Sequence, residues 1–416
     1  MLEPTRRLHH SDTYLLEFEA RVLARRAAGQ DVEVALDQSA FYVESGGQPA
    51  DRGWLQELEV SGLSLEDGVV WHRLADGRAA EAFPEGALVA GKVDEATRRD
   101  HMQQHTAQHI LSQAFLLCGG RNTRGFHLGD EYSTVDFDGE KPDADLRRKS
   151  LALANDCVLR NRPLRIHWVA KEDLGRIPLR RDPQGDRDLL RVIEIEGFDW
   201  SACGGTHAHR TGEVGAIHIL GVEKVRDLWR IRFLAGRRTI NYFAEIYEEL
   251  NSIAMDHSVG YRDLAAHMGK RRAEIQEAER RLRYLLQRLA IVKADALLAA
   301  RPASTVPEVL GIWLEEDEFE MAQDLCQALA ERRPCVVLLA SPGEDTIRWL
   351  IARSRALEGR WKGFSSDTAL RGLLRDYGGR GGGSAIMARG MSPTPSDSVK
   401  TSVDHLARRY CLPDAV

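Results

Sequence analysis

The 416-residue sequence has no long hydrophobic run. It contains no stretch of about 18 consecutive apolar residues, which excludes an ordinary transmembrane helix. Its first residues, Met-Leu-Glu-Pro-Thr-Arg-Arg, include no apolar core of the kind that a secretory leader needs. We therefore expect a cytoplasmic protein with no membrane partner.

Cysteine is scarce and scattered. The six cysteines are Cys118, Cys157, Cys203, Cys326, Cys335 and Cys411. This wide spacing suggests no disulfide framework and is typical of a protein in a reducing compartment. Hydrophobic residues make up 43% and charged residues 29% of the chain, as in ordinary globular proteins, and the length predicts two or three domains.

An excess of positive charge is also absent. The formal net charge is −6, which argues against indiscriminate coating of nucleic acid. Arginine nevertheless outnumbers lysine and recurs in pairs: Arg98-Arg99, Arg147-Arg148, Arg180-Arg181, Arg237-Arg238, Arg271-Arg272 and Arg280-Arg281. Because a guanidinium group can donate two parallel hydrogen bonds to a phosphate, which a lysine ammonium cannot, these pairs are consistent with local binding of a structured RNA. Solvated, salt-bridged surfaces explain them equally well.

Two short segments each offer a pair of metal-ligating side chains four positions apart. In the first, His105 and His109 are one helical turn apart, so both imidazoles lie on one face of a helix. In the second, Cys203 and His207 flank a Gly-Gly-Thr sequence that suits a tight loop. Four such ligands would complete a tetrahedral site for one Zn2+ ion per chain.

Neither pair is unambiguous by itself. An H-x3-H pair is common by chance, and a helix that contains one is usually an ordinary helix with two polar residues. Four other histidines compete as ligands, and spacing alone does not exclude them: His101, His127, His209 and His218.

The pattern of strands and helices predicts an α+β protein of four parts. Residues 1–93 alternate short apolar strands with Gly- and Asp-rich turns, which indicates a small N-terminal β-barrel. Residues 94–238 begin with a helix and continue as a mixed α+β domain that holds the candidate zinc ligands. Residues 239–301 form a helical linker, and residues 302–416 form a C-terminal α/β domain.

The helical linker contains a heptad-like stripe. Apolar or small residues recur at steps of three and four: Ile275, Ala278, Leu282, Leu285, Leu289, Val292 and Ala296. This pattern is typical of a coiled-coil seam, formed either in a hairpin within the chain or between two chains. The alternative is one long amphipathic helix that lies on its own domain.

The C-terminal domain contains the segment Gly378-Gly379-Arg380-Gly381-Gly382-Gly383, followed by a predicted strand at Ser384–Ala388. Glycines allow the backbone to approach another group closely. We identify Gly379, Arg380, Gly381 and Gly382 as candidate nucleic-acid contacts, through backbone N–H groups and the guanidinium. A plain flexible turn explains the glycines as well.

Three motifs together resemble the freestanding alanyl-tRNA editing proteins called AlaX and the editing half of alanyl-tRNA synthetases. The first is Phe41-Tyr42-Val43-Glu44-Ser45-Gly46-Gly47-Gln48, which continues to Asp51-Arg52-Gly53. The other two are the ligand pairs, of which the second is followed by Thr211-Gly212-Glu213-Val214-Gly215. The helical stretch and the glycine-rich segment are similar to the C-terminal region of alanyl-tRNA synthetase, which marks the long form of AlaX.

The resemblance implies a deacylase of mischarged tRNA(Ala), chiefly Ser-tRNA(Ala) and secondly Gly-tRNA(Ala). It implies Zn2+ bound by four protein ligands, with a first role in positioning the substrate and activation of water as the alternative. No ATP-binding segment precedes the editing-type sequence, so we expect no aminoacylation, and the Asp-His-His motif of related phosphoesterases is absent. The sequence leaves open whether two chains form a homodimer through the helical linker or the C-terminal domain.

Two further residues follow from the resemblance. Ser39 stands where the family has a discriminating threonine, and its hydroxyl would bond the side chain of a wrongly attached serine. Gln48 would bind substrate or water nearby. Both residues could instead shape the turn at Gly46-Gly47. Two other functions stay open: a non-catalytic zinc-containing tRNA-binding module, and a zinc hydrolase of another aminoacyl ester.

Overall fold

A computed structural model of the chain describes residues 2–75, 81–182, 188–301, 307–358, 361, 364–393 and 396–412. The chain divides into two compact units, Met1–Ile253 and Ala254–Val416. Each unit combines helices with β-sheets, so the predicted α+β class is confirmed. Within the described ranges, no helix is long and apolar enough to cross a membrane. The finer domain boundaries at residues 93, 238 and 301 remain predictions.

The first unit begins with a six-stranded barrel. The strands of this region are Arg6–Arg7 (β1), Glu17–Ala28 (β2), Asp31–Leu36 (β3), Gln38–Ser39 (β4), Gly53–Leu55 (β5), Leu58–Glu66 (β6), Val69–Leu74 (β7) and Leu88–Val93 (β8). Strands β2, β3, β7, β6, β5 and β8 close on themselves, while β1 pairs with β4. Along β2, Phe18, Ala20 and Val22 are buried and the charged residues between them are exposed, because successive side chains point to opposite faces.

Two sheets and two helices complete this part of the chain. The helices are Glu95–Gly119 (α1) and Ala144–Leu159 (α2). The strands are Thr123–Leu128 (β9), Ser133–Phe137 (β10), Leu164–Ala170 (β11), Leu189–Ile195 (β12), Asp199–Ala202 (β13), Ile217–Val225 (β14) and Leu228–Ala235 (β15). One sheet has the order β14-β15-β10-β9, and the other has the order β11-β12-β13.

Helix α1 positions the first pair of candidate ligands. The Asp94 carboxylate accepts a hydrogen bond from the Thr97 N–H at 2.8 Å and caps the N-terminus. Gly120 ends the helix with a left-handed φ of 63°. The apolar side of α1 packs into a core shared with α2 and β10 through Ala107, Ile110, Leu111, Ala114 and Phe115.

The region predicted as one helical stretch is two helices, Arg237–Asp256 (α3) and Leu264–Ala299 (α4). The segment between them includes Ser258, whose φ of 55° is left-handed, and Gly260. Such backbone cannot continue an α-helix. Among the residues of α4, those that are buried in the second unit are Ala290, Ala294 and Leu298.

The heptad-like stripe of α4 lies on a different side from its buried residues. Its large members Ile275, Leu282, Leu285, Leu289 and Val292 are 50–62% exposed. The stripe is therefore not what attaches α4 to its own unit, and the coiled-coil interpretation remains a prediction.

The second unit is a five-stranded sheet with helices on both faces. Its strands are Glu308–Trp313 (β16), Cys335–Pro342 (β17), Ile347–Arg353 (β18), Arg380–Gly383 (β19) and Met387–Ser392 (β20), in the order β16-β17-β18-β20-β19. The other helices are Ala322–Arg332 (α5), Ser366–Tyr377 (α6) and Ser396–Cys411 (α7). Helices α4 and α5 pack on one face, and α6 and α7 pack on the other.

The glycine-rich segment forms the edge strand β19 of this sheet, and the strand predicted at Ser384–Ala388 begins at Met387 instead. Gly381 lies opposite Gly390 in an antiparallel pair. A Cβ atom at Gly381 would lie only 2.5 Å from the carbonyl oxygen of Arg389, so a side chain would clash there. The partner that approaches this backbone closely is thus the chain's own strand β20.

Candidate metal centre

The two predicted ligand pairs meet in the first unit. One ligand atom from each of His105, His109, Cys203 and His207 lies within 4.8 Å of the others, and this cluster could hold a metal ion. The histidines lie one turn apart on α1, while Cys203 and His207 lie in the loop that follows β13. The three histidine side chains are no more than 3% exposed.

The imidazole of His105 is oriented by Gln48. Its Nδ1 lies 2.7 Å from Oε1 of Gln48, and the Thr206 N–H donates to the same oxygen at 3.1 Å. Because a carbonyl oxygen only accepts, His105 carries its proton on Nδ1, which leaves the Nε2 lone pair toward Sγ of Cys203 at 3.4 Å. Nε2 is therefore available as a metal ligand.

The other two histidines have partners of the same kind. Nδ1 of His109 lies 3.5 Å from the carboxylate of Asp199. Nδ1 of His207 lies 3.3 Å from the Thr106 hydroxyl, and Nε2 of His207 lies 3.3 Å from Sγ of Cys203. Each imidazole thus has an outer polar group behind it, as metal-bound histidines usually have.

The protonation states suit a metal. Burial alone would raise the pKa of the Cys203 thiol, but the imidazoles of His105 and His207 hold that pKa well below its ordinary value. Burial lowers the pKa of His105 and of His207. Burial also disfavours the charged form of His109, but Asp199 and Cys203 raise its pKa above the ordinary value. Because cysteine binds a metal as the thiolate and histidine as the neutral imidazole, metal binding would compete with protonation of His109.

Asp199 joins the cluster to Arg180, whose side chain is 13% exposed. Its carboxylate lies 3.3 Å from Nε of Arg180 and accepts a hydrogen bond from the Ser201 hydroxyl at 2.9 Å. Although burial favours the neutral acid, Arg180 and His109 hold the pKa of Asp199 below its ordinary value. The sequence marked Arg180 only as one half of an arginine pair and did not mark Asp199, because only the fold brings these residues behind His109.

A second arginine fixes the ligand loop. Nη1 of Arg191 donates to the carbonyl oxygens of Cys203 and Gly205 at 2.8 and 2.9 Å. Further along the loop, the Thr13 hydroxyl donates to the carbonyl oxygen of His207 at 2.9 Å. The loop is thereby held by residues from two distant parts of the sequence.

The cluster lies at the wall of a cleft of about 1360 Å³. His109 and Cys203 belong to the cleft lining, together with the turn Tyr42–Gly46, strand β9 near Phe126, and arginines from several segments. The centre therefore has room beside it for a ligand much larger than water.

Comparison with known proteins identifies the relatives of this chain. It is 30% identical over 407 residues to the alanine–tRNA ligase of Korarchaeum cryptofilum, covering 94% of this chain and 44% of that protein. It is 33% identical over 251 residues to the alanyl-tRNA editing protein AlaX-L of Pyrococcus horikoshii, covering 58% of this chain and 61% of that protein. This chain is homologous to alanyl-tRNA synthetases.

The match to a family model includes the ligand loop, Cys203–His207. Residues 190–232 match the second additional domain of threonyl and alanyl tRNA synthetases, a range that includes β13 and the Cys203–His207 loop. The C-Ala domain of Aquifex aeolicus alanyl-tRNA synthetase is also similar: the match covers 26% of this synthetase homologue and 98% of that domain, at 23% identity and a TM-score of 0.21. The chain spans about half the length of the synthetases that it matches.

The two residues predicted from the family resemblance, Ser39 and Gln48, lie in different places in this homologue. Gln48 is fully buried against His105, and its Nε2 donates to the Thr206 hydroxyl at 2.9 Å, so both ends of its amide are occupied. Ser39 is also fully buried, lies outside the cleft lining, and contacts Nε2 of His72 at 2.8 Å. The fold thus brings Gln48 to the four-ligand cluster and places Ser39 on β4, against the barrel strand β7.

The competing histidines stay outside the four-ligand cluster among the described residues. His101 lies one turn before His105 on α1, and its buried Nδ1 has no hydrogen-bond partner in the described part of the chain. The rings of His209 and His218 contact Tyr14 and Phe243, at centroid distances of 4.1 and 4.8 Å. His127 lies on β9. Tertiary contacts therefore settle a choice that spacing left open.

A buried ion pair supports the turn that borders the cleft. Nη2 of Arg98 lies 2.5 Å from the carboxylate of Asp51, which also accepts the Tyr42 N–H at 2.6 Å. We expect Arg98→Ala to lower the free energy of unfolding by about 3–5 kcal/mol, because it leaves a buried carboxylate unpaired. Urea denaturation would measure this, with Arg99→Ala as a control that should cost about 0.5 kcal/mol or less, since Arg99 is in an exposed pair. Equal losses would contradict the prediction.

Proposed function

We propose that this chain hydrolyses the ester between a wrong amino acid and tRNA(Ala), acting chiefly on Ser-tRNA(Ala) and secondly on Gly-tRNA(Ala). The supporting observation is the buried four-ligand cluster beside a large cleft, in a chain homologous to synthetases and to an alanyl-tRNA editing protein. Hydrolysis adds water across the ester and releases the free amino acid and the free terminal hydroxyl of the tRNA.

The proposed metal is one Zn2+ per chain, held by His105, His109, Cys203 and His207, since three imidazoles and one thiolate are a donor set that zinc prefers. Bound there, Zn2+ would supply a positive charge that positions substrate oxygens and polarises the ester carbonyl. Gln48 is proposed to act through His105, by holding that ring and its proton in place.

For the rest of the tRNA we propose contacts with the glycine-rich edge strand at Gly379, Arg380, Gly381 and Gly382. Strand β19 is at the edge of its sheet, and Arg380 is exposed on it. An edge strand has backbone N–H groups without a strand partner on one side, and these groups bind phosphate oxygens well. Arg380→Ala should then weaken tRNA binding while leaving hydrolysis of bound substrate unchanged.

We also propose that a second copy of the chain covers the exposed stripe of α4. Leu282 and Leu285 are each 52% exposed, and removing such side chains from water is the usual driving force of helix pairing. The double change Leu282→Lys and Leu285→Lys should convert a dimer to a monomer in sedimentation experiments. Leu159→Lys, at a position 84% exposed on α2, should not. A wild-type chain that sediments as a monomer contradicts the proposal.

The deciding experiment is deacylation of Ser-tRNA(Ala), Gly-tRNA(Ala) and Ala-tRNA(Ala), with and without a chelator. We expect hydrolysis of the first two, little hydrolysis of the third, and loss of activity on chelation. A chain that binds tRNA(Ala) but hydrolyses none of the three would be a binding module. Hydrolysis of unrelated aminoacyl-tRNAs at equal rates would indicate a broader esterase.

Selectivity is proposed to depend on Ser39 as a positioning residue. Its hydroxyl accepts the Phe41 N–H at 3.2 Å, at the start of the segment that lines the cleft. Ser39→Ala should therefore lower the ratio of seryl to alanyl hydrolysis by loosening that segment, in single-turnover assays. Ser61→Ala, an exposed serine of β6, is the control. An unchanged ratio in the Ser39 variant refutes the role.

A further inference from the structure

The cleft beside the cluster is strongly basic. Among the described residues that line it, six are arginines and two are acids, Glu44 and Asp182. The arginines are Arg7, Arg121, Arg124, Arg180, Arg181 and Arg191. The formal net charge of the whole chain is −6, so the excess of positive charge in the cleft is a local feature. A basic cleft in an acidic protein attracts a polyanion to one place.

Two of these arginines already have structural roles, and others lie along strand β9. Arg180 is bound to Asp199, and Arg191 holds the metal loop. Arg124 lies on β9 with 57% of its side chain exposed, and its ion pair with Asp138 is a surface pair of the kind that a phosphate can replace. Nη1 of Arg181 contacts the carbonyl oxygen of Thr123 at 3.4 Å, which places both guanidinium groups at the same strand.

The lining also offers an exposed indole. Trp168 on β11 is 50% exposed, and its ring lies 5.8 Å from that of His10. A half-exposed tryptophan has a large flat face that gains free energy when another flat group covers it. Aromatic side chains beside a track of positive charge are the arrangement that binds unpaired nucleotides, because bases stack while phosphates meet the cations.

We infer that Trp168 stacks on one base of the unpaired RNA 3′ end that enters this cleft, and that Arg124 and Arg181 bind its phosphates. The inference rests on the proposed function, for which it names how the end of the tRNA reaches the metal centre. A path along β9 leads from Arg124 to Phe126, whose ring lies 5.0 Å from that of His105. The nucleotides would thus run from the rim to the cluster.

The test uses the full-length protein and two RNA hairpins without an amino acid. One hairpin ends in four unpaired 3′ nucleotides, and the other has a blunt end. The wild-type chain should bind the first more tightly in fluorescence-anisotropy titrations at several salt concentrations. Trp168→Ala should remove about fivefold or more of that preference, and Trp168→Phe should keep most of it. Arg124→Gln and Arg181→Gln should each lower the salt slope of log K by about 0.7.

Trp54→Ala is the matched control, because Trp54 is 38% exposed on the barrel strand β5 and lies outside the cleft lining. Metal content is measured on every variant, and a normal value shows that the site is intact. Equal binding of the two hairpins by the wild-type chain would overturn the inference. So would a Trp168→Ala chain that keeps the full preference.

These outcomes are separable from failure of the proposed function. A chain that binds the unpaired end through Trp168 but hydrolyses no aminoacyl-tRNA would keep the cleft assignment and lose the enzymatic one. A Trp168→Ala chain that hydrolyses Ser-tRNA(Ala) with unchanged KM and kcat would keep the enzymatic assignment and lose the cleft assignment. If the inference holds, Trp168→Ala should raise KM by about fivefold or more with a smaller effect on kcat.

Discussion

Cys203→Ala is expected to abolish stoichiometric metal binding, and deacylation with it. Structural zinc sites bind with about 10–16 kcal/mol, so an equal share for one of four ligands is about 2.5–4 kcal/mol, or roughly a hundredfold to a thousandfold in affinity. The remaining imidazoles of His105 and His207 would also lose the thiolate that their Nε2 atoms face at 3.4 and 3.3 Å. Elemental analysis after gel filtration, together with competition by a chelator of known affinity, measures the loss.

His101→Ala is the control for this prediction. His101 is buried on α1 one turn before His105, but it is not part of the ligand cluster. The His101→Ala chain should retain one full equivalent of metal. If His101→Ala loses metal and Cys203→Ala retains it, the ligand set is different from the one assigned. A metal-free Cys203→Ala chain that still hydrolyses Ser-tRNA(Ala) at the wild-type rate would separate the metal from the reaction and contradict its proposed role.

Gly205→Ala should be nearly as damaging, although glycine binds no metal. A Cβ atom at this position would lie 2.2 Å from Cε1 of His105 and 2.7 Å from Oε1 of Gln48. The loop cannot retreat easily, because Arg191 holds the Gly205 carbonyl oxygen at 2.9 Å. The methyl group must therefore displace the ligand ring or the amide behind it. Changes to such outer contacts typically cost about 10–100-fold in metal affinity.

Gly204→Ala makes a matched comparison one residue away. A Cβ atom at Gly204 would meet no described residue within 4 Å, so this variant should bind metal like the wild type. Chelator competition and thermal unfolding on both variants test the prediction. Equal metal affinities would mean that the loop adapts, and that the Gly205–His105 contact does not constrain the site. Equal losses would instead point to a general need for flexibility in the Gly-Gly pair.

The sequence identified the four candidate ligands because their chemistry is local, and metal binding itself remains a prediction. Two histidines at helical spacing and a cysteine and histidine around Gly-Gly are visible without a fold, and all four converge in the structure. Gln48 was visible only through its motif, and its contact with His105 could not be read from spacing. Asp199 and Arg191 left no signal in the sequence, because each is an ordinary polar residue until the sheet β11-β12-β13 places it near the cluster. Arg180 was marked only as one half of an arginine pair, and its contact with Asp199 could not be read from spacing.

The glycine-rich segment shows what composition alone could not predict. Its composition indicated a backbone that something approaches closely, and Gly381 does face such an approach, from Arg389 and Gly390 of the neighbouring strand. Composition cannot distinguish a ligand from a strand, because both require the absence of Cβ. The stripe of α4 is similar: its period was evident, but only packing could reveal that α4 is buried through Ala290, Ala294 and Leu298 instead.

By itself, the sequence determined the ligand types, the α+β class and the resemblance to alanyl-tRNA editing proteins, since these depend on residue identity and short spacing. The tertiary structure decided which histidines join the cluster, which polar groups orient them and where the basic cleft lies. These features join residues as far apart as Thr13 and His207, or Gln48 and Thr206. Contacts over such separations depend on the packing of whole elements, and no local pattern encodes them.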